Sequence, residues 1–233
     1  MANSADARDR VIARLGLPAE RISVIRNALF FPPHRPRESQ GVLREWHGAG
    51  PATVVLLCVA MFRPEKRQRE LIQIAAGLPT GLDWQLWLAG DGPARPACAN
   101  LVRTLGLERR VKLLGYQPDA SGLYEAGDIA VHASATESLS NFIIEAQAHG
   151  LPAVACEAQG IRECLVPDRT GWVIPPGDRA AFRAAVVRLI EEGPEARARR
   201  GAEARTLAAA AFDPATQVEA YLRLFARLVE GTP

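Results

Sequence analysis

The run TESLSNFIIEAQAHGLPAVA, residues 136–155, decides the fold of this 233-residue chain. It opens on a loop carrying Glu137 and passes into a helix-like segment, Asn141–His149. It stops at Gly150 and resumes as a short apolar strand, Pro152–Cys156. Glycine just past the last periodic residue is a helix stop, because it takes the left-handed conformation without a Cβ clash. An unbroken apolar run bounded by turn residues fits a strand covered on both faces. A helix handing over to a covered strand is the repeating half of a βαβ unit.

The alternation extends in both directions. Thr53–Val59 (TVVLLCV), Gln85–Ala89, Val111–Leu114 and Ile129–His132 are apolar runs upstream, and Gly171–Ile174 is another downstream. Helix-like segments lie between them at Gln68–Ala76, Ala94–Leu105 and Ser121–Glu125. Strands alternating with helices require right-handed crossovers and so a parallel sheet. The expected fold is α/β: a doubly wound, Rossmann-like parallel sheet with helices on both faces and ligands at the carboxyl ends of its strands. A helical C-terminal tail follows. Asp178 is placed to cap a helix on which Phe182, Val186, Leu189 and Ile190 share a face. A second helix fits Glu195–Ala210, and Asp213-Pro214 opens a third as cap and first helical residue.

Residues 51–233 are accordingly read as one domain, and residues 1–50 as a lead-in. The lead-in holds a short helix over Asp6–Leu15, ended by Gly16, and a short strand over Arg21–Ile25. In Phe31-Pro-Pro-His-Arg-Pro-Arg37, three prolines remove amide donors and break regular structure.

Hydrophobic residues make up 48% of the chain, enough for a sizeable core. The 28 basic and 26 acidic groups leave a net charge of +2, too little field to recruit nucleic acid, and no such partner is expected. The Arg-rich stretch Glu195–Arg205 interleaves glutamates and reads as a solvated helix face. Cys58, Cys98, Cys156 and Cys164 have no paired C-x-x-C spacing, so buried reduced thiols are expected rather than a metal site. Apolar runs are too short to cross a bilayer, and MANSADARDR lacks the apolar core of a signal peptide. The expected location is cytoplasmic, with peripheral attachment to a membrane left to a further domain or partner.

Chemistry concentrates around the two acids. With Ser140 at the helix start, Asn141 and Phe142 fall in the first turn, where free amides and the positive helix end can bind a diphosphate. Glu145, one turn deeper, can accept two hydrogen bonds from vicinal hydroxyls such as those of a ribose. Glu137 faces whatever follows the phosphates. Spacing alone leaves a second reading open: a surface glutamate on a loop plus a glutamate favoured by the helix dipole. Arg63 and Lys66 are either ligand-facing cations or part of a solvated loop. Gly90-Asp91-Gly92-Pro93 allows either close approach to a ligand or a tight turn, and it is not the G-x-G-x-x-G of dinucleotide enzymes. His132, near a strand end, and His149, at a helix end, are read as structural.

Taken with its neighbours, HASATESLSNFIIEAQAHGLPAVACEAQGIRECLVPDRTGWVIPPGD resembles the C-terminal, donor-binding domain of family 4 (group 1) retaining glycosyltransferases. The resemblance lies in an E-x7-E element, a G-x-P-V-V-A-like strand and a G-x-x-E loop. Upstream, VAMFRPEKRQRELI, LWLAGDGPARP and RVKLLGYQPDASGLYEAGDIAVHAS keep the same order, so roughly Val54–Asp178 is covered. It implies one half of a GT-B fold, in a retaining, metal-independent enzyme. Such an enzyme moves a sugar from a nucleotide-diphosphate sugar, such as a UDP- or GDP-sugar, to an acceptor, with no cofactor.

The resemblance also implies roles for single residues. Glu145 holds the ribose, Glu137 the donor-sugar hydroxyls, and the amides of Ser140, Asn141 and Phe142 the diphosphate. Lys66, with Arg63 as a second candidate cation, neutralises the departing diphosphate. Such leaving-group stabilisation suits an oxocarbenium-like transition state. Gly92 is a candidate for close approach to the donor, Tyr116 stands beside the base, and Gly160 reads as structural. Met61 occupies a position where the family often has an arginine, five residues before the lysine. The chain contains no D-x-D, the metal-holding motif of the other large glycosyltransferase fold.

Glu20–Asn27 resembles the end of the first domain of such enzymes, so the acceptor-binding domain is expected to be absent from this chain. Two alternatives remain beside the transferase. One is a non-catalytic nucleotide-sugar-binding module that needs a separate acceptor-domain partner. The other is a Rossmann oxidoreductase, disfavoured by the missing glycine fingerprint.

Overall fold

A computed structural model describes residues 1–29 and 38–231, the side chains of 38–40 excepted. The proline-rich break expected over 31–37 lies outside the described residues. Six strands, β1 (Val54–Val59), β2 (Trp84–Ala89), β3 (Val111–Gly115), β4 (Ile129–His132), β5 (Ala153–Cys156) and β6 (Gly171–Ile174), form one sheet in the order β3-β2-β1-β4-β5-β6. All neighbouring pairs run parallel. The strands consist of the apolar runs expected, and β1, β2, β4 and β5 are buried almost throughout, because helices cover both faces of the sheet.

The helices in chain order are α1 (Ala5–Leu15), α2 (Glu38–Trp46), α3 (Gln68–Ala76), α4 (Arg95–Thr104), α5 (Ser121–Ala126), α6 (Asn141–Ala148), α7 (Ile161–Cys164), α8 (Arg179–Glu191), α9 (Gly193–Ala211) and α10 (Pro214–Val229). α3 packs against α4 and α8, α2 against α5, and α6 against α9. The caps form as expected. Asp178 accepts the amide of Ala181 at 2.8 Å, and Asp213 accepts that of Thr216 at 2.9 Å. On α8, Phe182, Val186 and Leu189 are buried, and Ile190 packs against the core only partly covered.

The strand order turns back between β1 and β4, which pair Leu56 with Ile129 and Leu57 with Ala130. Chains leaving the carboxyl ends of these two strands depart toward opposite faces and leave a crevice between them, the place where open α/β sheets bind ligands.

At the opposite end of the same pair, one carboxylate oxygen of Asp128 accepts the amide of Val55 at 2.7 Å and Nη1 of Arg44 at 3.0 Å. Asp128 thereby ties α2 to the start of β1. Asp128→Ala leaves the Val55 amide without its acceptor and the Arg44 guanidinium without its counter-charge, and is expected to lower stability by about 2 kcal/mol. Equal denaturation midpoints for the two proteins would remove Asp128 from this role.

The lead-in differs from expectation. Arg21–Ile25 forms no strand; a 3₁₀ turn covers Ala19–Arg21, and only an isolated bridge joins Ala2 to Val24. Without a neighbouring strand along its length, the β-branched pattern there cannot propagate a ladder. Within this region α2 is an additional helix, in a stretch where two glycines, Gly41 and Gly48, weakened the helical signal. The start of the chain also docks onto the domain. The amide of Leu29 donates to Phe212 O at 3.3 Å, and Gln217 Nε2 donates to Arg26 O at 2.9 Å.

Candidate functional site

The crevice at the switch point is a cleft of about 260 Å³, walled by the end of β1, the loop after it, the end of β4 and the start of α6. It brings together Arg63, Lys66, Glu137, Ser140, Asn141 and Phe142, all singled out from the sequence, and adds Met61 and His132. Each is placed by backbone that the sequence dictates. A single turn of 3₁₀ helix at Pro64–Lys66, with proline at its first position, carries Lys66 over the strand ends. Ser140 caps α6 in extended conformation, its Oγ accepting the amide of Ile143 at 3.4 Å. Asn141 and Phe142 thus occupy the first turn, where amides lack partners within the helix.

Lys66 Nζ lies 2.5 Å from Oε1 of Glu137, and His132 Nε2 lies 2.8 Å from the same oxygen. Glu137 is largely enclosed, with a side chain 10% exposed. Burial opposes ionisation of its carboxyl, but the hydrogen bonds and fields of His132 and Lys66 outweigh that and bring it down to about 2. The group is a carboxylate at any ordinary pH. Arg63 is half-exposed and approaches Glu65 only at 4.0 Å, so its guanidinium is loosely held at the rim.

Glu145, Gly92 and Tyr116 stand outside the walls of this cleft. Glu145 sits one turn beyond Asn141 on α6, and its Oε2 accepts a hydrogen bond from the phenol of Tyr124. Burial raises the Glu145 carboxyl above its usual range, and the Tyr124 hydrogen bond works in the other direction. Tyr124 is itself fixed, stacked at 5.1 Å on His149 and 6.2 Å on Phe142. Tyr124→Phe removes the opposing bond, so the Glu145 carboxyl should titrate at higher pH. A carbon-13 titration of Glu145 checks this, and an unmoved midpoint would count against the contact.

Gly92 has φ +147°, and a Cβ built there would meet Phe62 O at 2.5 Å. The glycine is thus required by packing of its loop on the chain leaving β1. Tyr116, just past β3, is 73% exposed. Gly160, φ +67°, lies against the loop that carries Glu137, where a Cβ would meet Ser138 O at 2.0 Å. This agrees with its reading as structural.

His132 departs from its reading as a core residue. It is buried, yet its ring belongs to the cleft and partners Glu137. The signal was available in the spacing: five positions separate a strand-end histidine from the loop acid, enough for the chain to fold back on itself. Tyr124 was missed for a different reason, since only the tertiary packing of α5 on α6 brings it to Glu145. Glu163 turns toward the lead-in, accepting the amide of Asp6 at 3.1 Å and pairing with Arg26 at 2.9 Å. Asn27 Nδ2 donates to Oδ1 of Asn141 at 2.8 Å, joining the lead-in to the first turn of α6. The four cysteines are buried and free, and burial pushes the Cys58 thiol up to about 12. Among the described residues no cluster of metal-ligating side chains occurs, and no helix is long and apolar enough to cross a membrane.

The family model of the group 1 glycosyl transferases matches residues 53–192. Among curated proteins, the chain is 32% identical over 211 residues to alpha-D-kanosaminyltransferase of Streptomyces kanamyceticus, covering 88% of this chain and 54% of that protein. It is 29% identical over 150 residues to N-acetyl-alpha-D-glucosaminyl L-malate synthase of Bacillus anthracis, covering 64% and 39%. The chain thus spans about half the length of the curated relatives it matches. Among solved structures, Anabaena Alr3699/HepE in complex with UDP superposes with a TM-score of 0.86 at 26% identity, covering 98% of this chain and 63% of that one. The same protein in complex with UDP-glucose gives 0.85 at 27% identity, covering 97% and 63%. The architecture is that of one half of a GT-B fold, and this chain belongs to the group 1 glycosyltransferases.

Proposed function

We propose that this chain is the donor-binding half of a retaining glycosyltransferase that takes its sugar from a nucleotide-diphosphate sugar without a metal ion. The observation that carries the reading is the meeting of Lys66, Glu137 and the first turn of α6 at the switch point. A nucleotide sugar presents ribose, diphosphate and sugar in a row. Glu145 suits the ribose hydroxyls, the first-turn amides with Lys66 and Arg63 suit the diphosphate, and Glu137 suits the sugar hydroxyls. Gly92 and Tyr116 are proposed as donor contacts at the rim, Tyr116 toward the base. The complexes of Alr3699/HepE with UDP and UDP-glucose support a uridine donor.

In transfer, the C1–O bond to the diphosphate breaks with its electron pair leaving on the phosphate oxygen. The acceptor oxygen bonds C1 and passes its hydroxyl proton to the departing phosphate oxygen. Charge grows on the departing diphosphate, and the first-turn amides and Lys66 are placed to offset it. Lys66 then has to exchange Glu137 for phosphate, which frees one lone pair of Oε1 for a sugar hydroxyl. The cytoplasm is the proposed location.

Calorimetry with UDP-, GDP- and ADP-sugars tests the reading. One class should bind, with the same affinity in EDTA. Binding of none would overturn the donor assignment, and loss on chelation would overturn metal independence. Transfer or donor hydrolysis by the chain alone, against transfer only with an added acceptor-domain partner, separates a transferase from a binding module.

A further inference from the structure

We propose that His132 is a positioning residue for Glu137. Its Nε2–H holds the carboxylate in place, and it keeps that hold when Lys66 turns from the carboxylate to a diphosphate. The inference rests on the donor reading above and adds a residue to it.

The two partners of Glu137 converge on one atom, Oε1. They are not equivalent. Lys66 stands on a surface turn at the end of a flexible four-carbon stem, its side chain 24% exposed, and it can swing to an arriving anion. His132 cannot move in that way. It ends β4, its side chain is 2% exposed, and the ring is packed against Phe142 at a centroid distance of 5.5 Å. When Lys66 leaves, the carboxylate keeps its burial but loses one of its two partners. The imidazole is then what holds the loop acid over the cleft.

The tautomer follows from the contacts. A bare ring nitrogen 2.8 Å from a carboxylate oxygen would set two lone pairs against each other, so Nε2 carries a proton. Nδ1 is buried and has no hydrogen-bond partner among the described residues, so nothing competes to draw the proton to the other nitrogen. Ser140 Oγ lies 3.4 Å from the same Nε2. One imidazole edge thus faces both the loop acid and the cap of the helix whose amides face the diphosphate.

Two measurements test this. Nitrogen-15 shifts of the His132 ring in the ligand-free chain should show Nε2 protonated at neutral pH. An Nδ1–H tautomer with bare Nε2 overturns the proposal without reference to any donor. The second is calorimetry with UDP-glucose and with UDP on the unaltered chain, His132→Leu, His132→Gln and Glu137→Gln. His132→Leu fills the space without a donor. His132→Gln places an amide nitrogen near the position of Nε2.

His132→Leu should lose affinity for UDP-glucose by about tenfold, and for UDP by no more than about threefold. His132→Gln should recover most of the loss, which a merely space-filling role would not predict. If Glu137→Gln lowers the preference for UDP-glucose but His132→Leu does not, the histidine assignment fails and the donor reading stands. If Glu137→Gln leaves the preference unchanged, the donor reading itself fails. Should His132→Leu not fold, His132→Gln and the ring shifts decide: wild-type preference with protonated Nε2 supports the role, and lost preference in a folded His132→Gln opposes it.

Discussion

A Glu137→Gln chain is expected to lose about tenfold or more of its preference for UDP-glucose over UDP while binding UDP at least as tightly as before. The asymmetry comes from Lys66. Its ammonium is engaged by Glu137 at 2.5 Å, and an arriving diphosphate has to compete for it. Neutralising the acid releases the cation to the phosphate but removes the strongest acceptor offered to the sugar. Equal losses for the two ligands would show that Glu137 does not distinguish them. The same variant has a signature in acid. The Glu137 carboxyl lies at about 2 in the folded chain, against an ordinary 4.5. A depressed carboxyl contributes stability that is present above the unfolded value and lost as pH falls through the folded one. Glu137→Gln should therefore flatten the stability profile between about pH 4.5 and 2, read from denaturation midpoints across that window.

Gly160→Ala should cost about 3 kcal/mol or more, a drop of roughly 6–12 °C in melting temperature for a domain of this size. Two penalties coincide at this position. The backbone is left-handed at φ +67°, and the new Cβ would stand 2.0 Å from Ser138 O. The loop carrying Glu137 has to move away, so sugar-nucleotide affinity should fall along with stability. Gly177 is a useful control: it is also left-handed, at φ +84°, but has open space around it. Gly177→Ala should show the smaller backbone penalty alone and leave binding intact. A Gly160→Ala chain that melts like Gly177→Ala and binds UDP-glucose normally would rule out the clash.

The sheet was legible because its strands are local and nearly pure in composition. β4 and β6 occupy the residues expected, and the other strand limits shift by a residue or so, the ±1 that hydrogen-bond fraying always leaves. Helices with clean caps were equally readable, as Asp178 and Asp213 show. What could not be read was anything settled by contact across the chain. α2 has a mixed sequence and is held by the reach of Arg44 to Asp128. The expected strand at Arg21–Ile25 lacked a partner ladder. In the site, the E-x7-E spacing placed Glu137 on its loop and Asn141 on the first helical turn. The partners that set the behaviour of the acids, His132 and Tyr124, come from β4 and α5, and periodicity carries no information about which side chains will meet.

The single hydrogen bond from Asn27 to Asn141 belongs to a wider set of fastenings. The backbone around Arg26 and Leu29 is also fastened to Gln217 and Phe212, next to the start of α10, and Arg26 is anchored on Glu163. Residues 26–29 are thus tied to the first turn of α6, to α7 and to the start of α10 together. The segment is a strap between the start of the chain and α6, made by side chains at the surface and not through the core.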